Sequence, residues 1–343
     1  MNPLTVVTRI PPLLVTLEAI GGPLQLAVYV ASLVLVIVAL TPQLAEWRGR
    51  ALGAMTVLLV GGEGLLAWFH WQLYSLTPVV DPSTGHVTGH VAVSLWVEGE
   101  RLYIWALMVA LLGVVARKER ERILPGVMIA VAALASLGIA TGQPFTNPLP
   151  GFLSQYSGYV QAMAGGGAAA DGAWQGMEAS RQFFYNAWFM WVHPPLLFFS
   201  YGAFTLSFVA TLQMVARRHS SFETAAYGWA RLGYLPLTVG MLLGFPWALE
   251  AWTGTSWWWS GFVNMSIMMW MLYTAYLHAR LYLRRQNMWR AVAALAILSF
   301  AVLVLTYLAT YVVPGAHSYA AWGPGASGLP EALRVACRGG GAA

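Results

Sequence analysis

Charged residues are scarce in this sequence. Asp, Glu, Lys and Arg make up only 9% of the 343 residues, whereas hydrophobic residues make up 58%. Soluble domains contain about 25% charged residues, so the composition excludes an ordinary soluble protein and predicts an integral protein of the lipid bilayer. The net charge of +5 does not indicate nucleic-acid binding, because the basic residues lie in short clusters between apolar segments.

Cysteine is almost absent as well. The single residue, Cys337, excludes a framework of disulfide bonds and an internal CxxCH motif. The seven histidines are more informative, because ionisable side chains inside membrane segments are rare and usually functional.

Long apolar runs predict the membrane helices. A helix needs about 20 mostly apolar residues to cross a bilayer, and eight segments come close to or exceed that length. The expected fold is an all-α, polytopic bundle of about eight transmembrane helices, which forms a single integral membrane domain over residues 1–343. The predicted spans are 24–41, 51–76, 101–116, 123–141, 188–215, 228–251, 262–284 and 290–313.

The basic residues predict the orientation of these spans. They concentrate in alternate loops, and loops rich in Lys and Arg face the cytoplasm. Both termini are therefore predicted on the outer side, together with segments 77–100 and 142–187. The clustered residues are Arg48, Arg50, Arg117, Lys118, Arg120, Arg122, Arg217, Arg218, Arg280, Arg284, Arg285 and Arg290.

The outer connection 142–187 is long for a loop, and loops of this length are usually functional or disordered. Its Gly/Ala run, Ala164–Ala170, is typical of a flexible linker. The segment Asp171–Phe189 that follows has helical spacing and is predicted to lie on the membrane surface.

Tryptophans concentrate in another outer segment, Gly244–Ser260, which also contains Glu250. Indole side chains gather at membrane interfaces, but such a belt needs only one or two of them per helix end. The excess predicts a flat apolar platform for a large planar ligand. The tryptophans are Trp247, Trp252, Trp257, Trp258 and Trp259.

Two histidines are predicted on the same side as this platform. His193 precedes Pro194 and Pro195, which suit the first turn of a helix, and His317 follows the last span. Two neutral imidazoles facing each other across an aromatic floor suit bis-histidine haem ligation. Alternatively, His193 is an interfacial residue at a helix end and His317 an ordinary loop residue.

Two further histidines lie inside predicted spans, where an ionisable residue suggests function. From the helical rise, His278 lies about 25 Å below Gly261 and His70 about 10 Å from the outer boundary. Two ligands of one haem should lie level. Either the boundaries differ, or His70 is structural, or the partner of His278 comes from another chain. A neutral His278 bonded to a neighbouring helix is the other interpretation.

These segments resemble the haem-handling membrane proteins of cytochrome c biogenesis, the CcmF, CcsA and CcmC types with a tryptophan-rich WWD domain. The resemblance covers residues 90–320, including the 142–187 loop and the 244–260 segment, and is carried by separate motifs in the family's order. These motifs are Val192–Phe204, Trp247–Trp259 with Tyr276–His278, Gly315–Tyr319, and more weakly Thr146–Pro148 and Ser94–Glu100.

The resemblance implies a component of a cytochrome c haem lyase in the bacterial inner membrane, with its site facing the periplasm. His193 and His317 would hold a transferable haem b on the tryptophan platform. The haem would be offered to a CxxCH apocytochrome c for thioether attachment. His278 would bind a second, resident haem b, for which His70 or a companion membrane subunit would supply the other ligand.

The sequence departs from the family at the end of the tryptophan segment. The family pattern Trp-x-Trp-Asp-Pro is replaced here by Trp257-Trp258-Trp259-Ser260-Gly261. The missing carboxylate bears on haem transfer more than on haem binding, and Glu250 is predicted at the same boundary. The alternative function is therefore a haem b-binding subunit of a membrane electron-transfer complex, derived from this family, that no longer releases its haem.

Overall fold

The computed structural model describes residues 8–116, 120–217, 219, 221–251 and 261–312. Within these ranges the chain is mainly α-helical, with one small β-hairpin. The helices and strands are α1 Ile10–Leu40, α2 Arg48–Ser75, β1 Pro78–Val80, β2 Val87–His90, α3 Arg101–Val115, α4 Arg120–Gly142, α5 Pro150–Gly165, α6 Gly167–Ser180, α7 Phe189–Arg217, α8 Ser221–Ala251, α9 Gly261–Arg285 and α10 Trp289–Val312.

The all-α membrane bundle predicted from the sequence is confirmed. Each predicted span falls on a helix, and α1, α2, α4, α7, α8 and α10 are long and apolar enough to cross a membrane. The first helix begins at Ile10, well before the predicted residue 24, because Pro23 lies inside α1 rather than at its start. The spans at α3 and α9, and the outer position of both termini, stay predictions.

Helix α3 lies at the centre of the bundle. It is only 15 residues long, and α2, α4 and α7 pack around it. Successive residues on every face are buried, from Tyr103 to Leu107. A helix enclosed in this way contacts protein on all sides, which explains why its sequence is apolar on every face.

A layer of short elements covers one end of the bundle, which we call the hairpin end. It contains the antiparallel hairpin β1–β2, in which Pro78 pairs with His90 and Val79 with Gly89, and helices α5 and α6. This is the end predicted to face outside. The all-α prediction missed the hairpin because its strands have only three and four residues, too few to show an alternating pattern.

The prediction of a flexible linker at Ala164–Ala170 is wrong. The run is helical on both sides of Gly166, because alanine is the strongest helix former. Only Gly166 and Gly167 take positive φ angles, of 70° and 61°, and they set the corner between α5 and α6. The surface helix expected at Asp171–Phe189 begins earlier and ends earlier, at Ser180, where a single π turn, Arg181–Tyr185, takes over.

Residues 94–100 form a junction segment on which several elements of the hairpin end converge. Gly99 lies against the last residue of α4, Gly142, so closely that a side chain on either would overlap the carbonyl oxygen of the other. The Gly99 amide also donates to Pro148 O at 3.0 Å. The contact between these glycines therefore ties α3 and α4 together directly beneath the start of α5.

This contact predicts that Gly142→Ala destabilises the protein. A Cβ at this position meets backbone rather than a flexible side chain, and overpacking of this kind costs about 1–3 kcal/mol. Thermal unfolding in detergent should show a lower midpoint. The matched control is Gly158→Ala in α5, where a Cβ meets open space and alanine favours the helix. Equal midpoints for the two variants would contradict the contact.

Candidate functional site

His193 lies in the second turn of α7, at the hairpin end. Its Nδ1 is 2.6 Å from Gly240 O in α8. A carbonyl oxygen only accepts hydrogen bonds, so Nδ1 carries the proton and Nε2 keeps its lone pair. Histidines that bind metals usually have this arrangement, with the second ring nitrogen donating to a carbonyl or carboxylate. The structure therefore holds His193 in the tautomer that a metal ligand needs.

The two prolines after His193 lie deeper in the helix than the sequence predicted. α7 begins at Phe189, so Pro194 and Pro195 fall in its second turn rather than its first. A proline inside a helix lacks the N–H that would bond the carbonyl four residues earlier. The carbonyls of Met190 and Trp191 are thus left without their helical donors.

Gly244 makes room for the His193 ring. A Cβ at Gly244 would lie 2.9 Å from Cε1 and 3.1 Å from Nδ1 of His193, closer than side chains normally approach. The ring therefore packs against the bare backbone of α8. Its hydrogen bond to Gly240, one turn earlier on the same helix, depends on this close approach.

Trp247 is the member of the tryptophan platform that lies within the described residues. It is buried, its Nε1 donates to Phe183 O at 2.6 Å, and its ring centroid is 6.4 Å from that of His193. It thus forms a wall of the His193 site. The platform residues Trp252, Trp257, Trp258 and Trp259, together with Ser260 and His317, lie outside the described residues, and their roles stay predictions.

A small cavity of about 50 Å³ adjoins His193 between α7, α8 and α9. Its walls are mainly apolar and include Tyr201, Met241, Trp247 and Met269. Pockets for drug-sized ligands measure several hundred Å³, so this cavity alone does not accommodate a porphyrin. Residues 252–260, which connect α8 to α9 at this end, are not among the described ones.

The last helix brings the chain back to the same end. Arg101, at the start of α3, is buried and donates from Nη1 to Thr310 Oγ1 at 2.8 Å. Its guanidinium lies 4.8 Å from the Tyr307 ring centroid. These contacts place the end of α10 at the hairpin end, so the chain continues towards His317 from the end that carries His193.

His278 lies on the exposed face of α9, near the opposite end of the bundle. Its Nδ1 is 2.8 Å from Thr274 O, which again places the proton on Nδ1. Leu281 and Tyr282, on the same face, are also exposed. The imidazole is thus directed away from the described part of the chain, and a haem bound there would need its second ligand from outside that part.

His70 has no nitrogen available for iron in this structure. Its Nδ1 lies 2.8 Å from Val93 O and its Nε2 lies 2.7 Å from Glu100 Oε1. The pair is buried and joins α2 to the junction segment. His70 and His278 were predicted at different depths in the membrane, which left several alternatives for His70. The geometry favours a structural role, and the prediction that His70 is a haem ligand gains no support.

The junction segment, which resembles the family only weakly in sequence, has contacts that its motif did not predict. Trp96 donates from Nε1 to Met190 O, while Glu98 accepts from the amides of Gly151 at 2.7 Å and Phe152 at 2.9 Å. Glu98 therefore caps the start of α5. Two glutamates directly before a span were the available signal, because carboxylates are costly beside a membrane unless they have partners.

These features define a polytopic membrane protein with a histidine–tryptophan site at one end of its bundle. The family model for the cytochrome C assembly protein matches residues 97–317, which is nearly two thirds of the chain. The protein belongs to this family, as its sequence motifs indicated.

Curated relatives match shorter parts of the chain. It is 31% identical over 134 residues to the cytochrome c-type biogenesis protein NrfE of Haemophilus influenzae, covering 37% of this chain and 21% of that protein. It is 35% identical over 122 residues to the cytochrome c biogenesis protein CcsA of Thermosynechococcus vestitus, covering 34% of this chain and 37% of that protein. The chain thus spans less than two fifths of each relative. No solved structure matches it.

Gly244→Val should displace the His193 ring while leaving the imidazole itself in the sequence. The added side chain would collide with Cε1 and Nδ1, so the hydrogen bond to Gly240 should lengthen or break, at a cost of about 1–3 kcal/mol for the buried donor. NMR of labelled histidine should show a changed Nδ1–H signal for His193. Gly228→Val, where a Cβ meets open space, is the control, and an unchanged signal in both variants would refute the close packing.

Glu98 predicts a pH-dependent stability. Burial raises the pKa of Glu98 from its usual value of 4.5 to about 7, and the amides of Gly151 and Phe152 oppose this rise. The unfolded chain then loses its proton at lower pH than the folded one, so stability should fall as pH rises from about 4.5 to about 7, by up to about 3 kcal/mol.

Unfolding midpoints across this pH range test the expectation. Glu98→Gln cannot ionise and should flatten the curve, whereas Asp171→Asn, which changes an exposed carboxyl of the same layer, should leave it unchanged. A wild-type curve that rises with pH over the same range would contradict the assignment.

Proposed function

We propose that this protein takes part in cytochrome c maturation by binding haem at the hairpin end and presenting it to an apocytochrome c with a CxxCH motif. The observation that carries the proposal is the hydrogen bond from His193 Nδ1 to Gly240 O, which places the proton on Nδ1 and keeps the lone pair of Nε2 for iron. The family membership and the names of the relatives, both cytochrome c biogenesis proteins, support it.

The residues around His193 suit a haem in chemistry. A neutral imidazole with its second nitrogen bonded to a carbonyl is suited to bind haem iron, and Trp247 offers an apolar aromatic wall beside it. His317 would supply the second iron ligand, and Trp252, Trp257, Trp258 and Trp259 would complete the platform. Glu250, in the last turn of α8, would supply the carboxylate that Ser260 does not.

In this function the protein supplies position rather than reacting groups. Bound haem brings two vinyl groups, across which the two cysteine thiols of the apocytochrome add to form thioether bonds. His193 and His317 would hold the iron and thereby fix where the vinyl groups lie. The tryptophans would exclude water from one face of the ring. The site would face the periplasm of a bacterial inner membrane.

A second haem b would bind at His278 and stay with the protein. The exposure of His278 on α9 and the bonding of both His70 nitrogens together favour a ligand from a companion membrane subunit. That subunit would pack against the face of α9 that carries Leu281 and Tyr282. A separate, resident haem of this kind would relay electrons from a membrane reductant, such as a quinol, and so keep the transferable iron or the client thiols reduced.

The test is haem content and holocytochrome yield in cells that express a CxxCH acceptor. His193→Gly should lower the yield more than about tenfold, because even the loss of a residue that only orients a metal ligand costs about tenfold or more, and added imidazole should restore it. His219→Gly, at the opposite end of the bundle, is the matched control. His278→Ala should remove a haem that the acceptor does not take.

Two results would count against the proposal. If purified protein from haem-replete cells has no low-spin bis-histidine spectrum, haem binding fails as a whole. If haem is bound through His193 but never reaches the acceptor, the protein is instead a haem b subunit of an electron-transfer complex, the outcome that Ser260 in place of the family's aspartate would explain.

A further inference from the structure

The helix that carries His193 has a defect at its start. Pro194 has no N–H, so the carbonyl of Met190 lacks the donor it would normally receive from four residues further on. Such a carbonyl is costly if it is left unpaired in an apolar setting. In the structure its donor is the Nε1–H of Trp96, which comes from the junction segment and not from α7.

The contact of Trp96 with α7 involves its ring as well. Its ring stands edge-on to that of Trp191, with centroids 5.7 Å apart and planes at 81°. Met190 and Trp191 directly precede Val192 and His193. Trp96 therefore contacts the helical turn that leads into His193. Movement of this turn would carry the His193 ring with it.

A second clamp lies just before this turn. Asn186 Nδ2 donates to His90 O at 2.9 Å, and Asn186 Oδ1 accepts from the Ala92 amide at 2.9 Å. The Asn186 amide itself closes the π turn by bonding Arg181 O at 2.8 Å. Hydrogen bonds therefore connect segment 90–96 to segment 186–190 at two separate points.

The junction segment is itself firmly held. Glu98 is bonded to the start of α5, Gly99 is packed on Gly142, and Glu100 is paired with His70. Trp96 therefore belongs to a segment whose position is fixed by neighbouring elements. By contrast, the first two turns of α7 contain two prolines in succession, which weakens their own hydrogen bonding.

We propose that Trp96 is a positioning residue for His193. By donating to the carbonyl that Pro194 leaves open, it fixes the depth and rotation of the first turns of α7. This maintains the hydrogen bond from Nδ1 of His193 to Gly240 O and keeps Nε2 directed towards the proposed haem. The inference rests on the proposed function for its haem readout, but its structural content concerns this chain alone.

The experiment is a double-mutant cycle between Trp96 and Pro194. Trp96→Phe keeps an aromatic ring but removes the donor. Pro194→Ala restores the helical N–H, which supplies Met190 O from within α7. In the wild-type background, Trp96→Phe should speed haem loss and backbone amide exchange at His193 by roughly threefold to tenfold, the effect of one hydrogen bond. In the Pro194→Ala background the same change should have little effect.

The control variant is Trp174→Phe in α6. The Nε1 of Trp174 is buried and has no partner among the described residues, so its loss removes an indole N–H without breaking a bond. It should leave haem loss and exchange at His193 unchanged. A general loss of stability would affect all amides of α7 alike, whereas a positioning role affects those around His193 first.

The amide exchange is measured on haem-free protein, which separates the two proposals. If the wild type binds no haem while Trp96→Phe still speeds exchange at His193 only in the presence of Pro194, the positioning role stands and the haem function falls. Equal effects of Trp96→Phe in both Pro194 backgrounds, or no effect beyond that of Trp174→Phe, would overturn the positioning role whatever the haem result.

Discussion

The site at the hairpin end depends on one hydrogen bond, from His193 Nδ1 to the carbonyl of Gly240. It joins α7 to α8, determines the tautomer of the imidazole and requires a glycine one turn further along α8. Because Nδ1 is occupied, the chemistry of His193 is confined to Nε2. The tautomer of His193, the candidate iron ligand, thus depends on the close packing of α7 against α8.

Several of the charged side chains inside the described part of the bundle mark where its elements are joined. At the hairpin end His70 meets Glu100, and Arg101 meets Thr310. At the opposite end Arg280 is paired with Glu223 and lies 3.7 Å from the Tyr227 ring centroid. A buried charge is tolerated only with a partner, so each pair fixes two elements relative to each other. In an apolar bundle, where hydrophobic burial discriminates poorly between neighbours, such pairs specify which helices meet.

Much of the fold was accessible from the sequence, because long apolar runs can only be helices in a membrane. The eight apolar runs lie on eight helices. The sequence motifs that resemble the family follow one another along the chain in the family's order. The start of α1 at Ile10 and the hairpin were missed, since Pro23 was tolerated inside a helix and the strands are very short. The Gly/Ala run was misread because composition cannot distinguish a flexible linker from a helix that neighbouring elements stabilise.

The sequence by itself determined the membrane bundle, the family and the candidate histidines, because these follow from local composition and motif spacing. Only the tertiary structure distinguished the histidines from one another. His70 and His193 are both histidines in apolar helices, yet within the described residues one has both nitrogens bonded and the other has only Nδ1 bonded. That difference lies in the oxygen atoms that Val93, Glu100 and Gly240 bring from distant parts of the chain, and no local pattern encodes which nitrogen a distant carbonyl or carboxylate will reach.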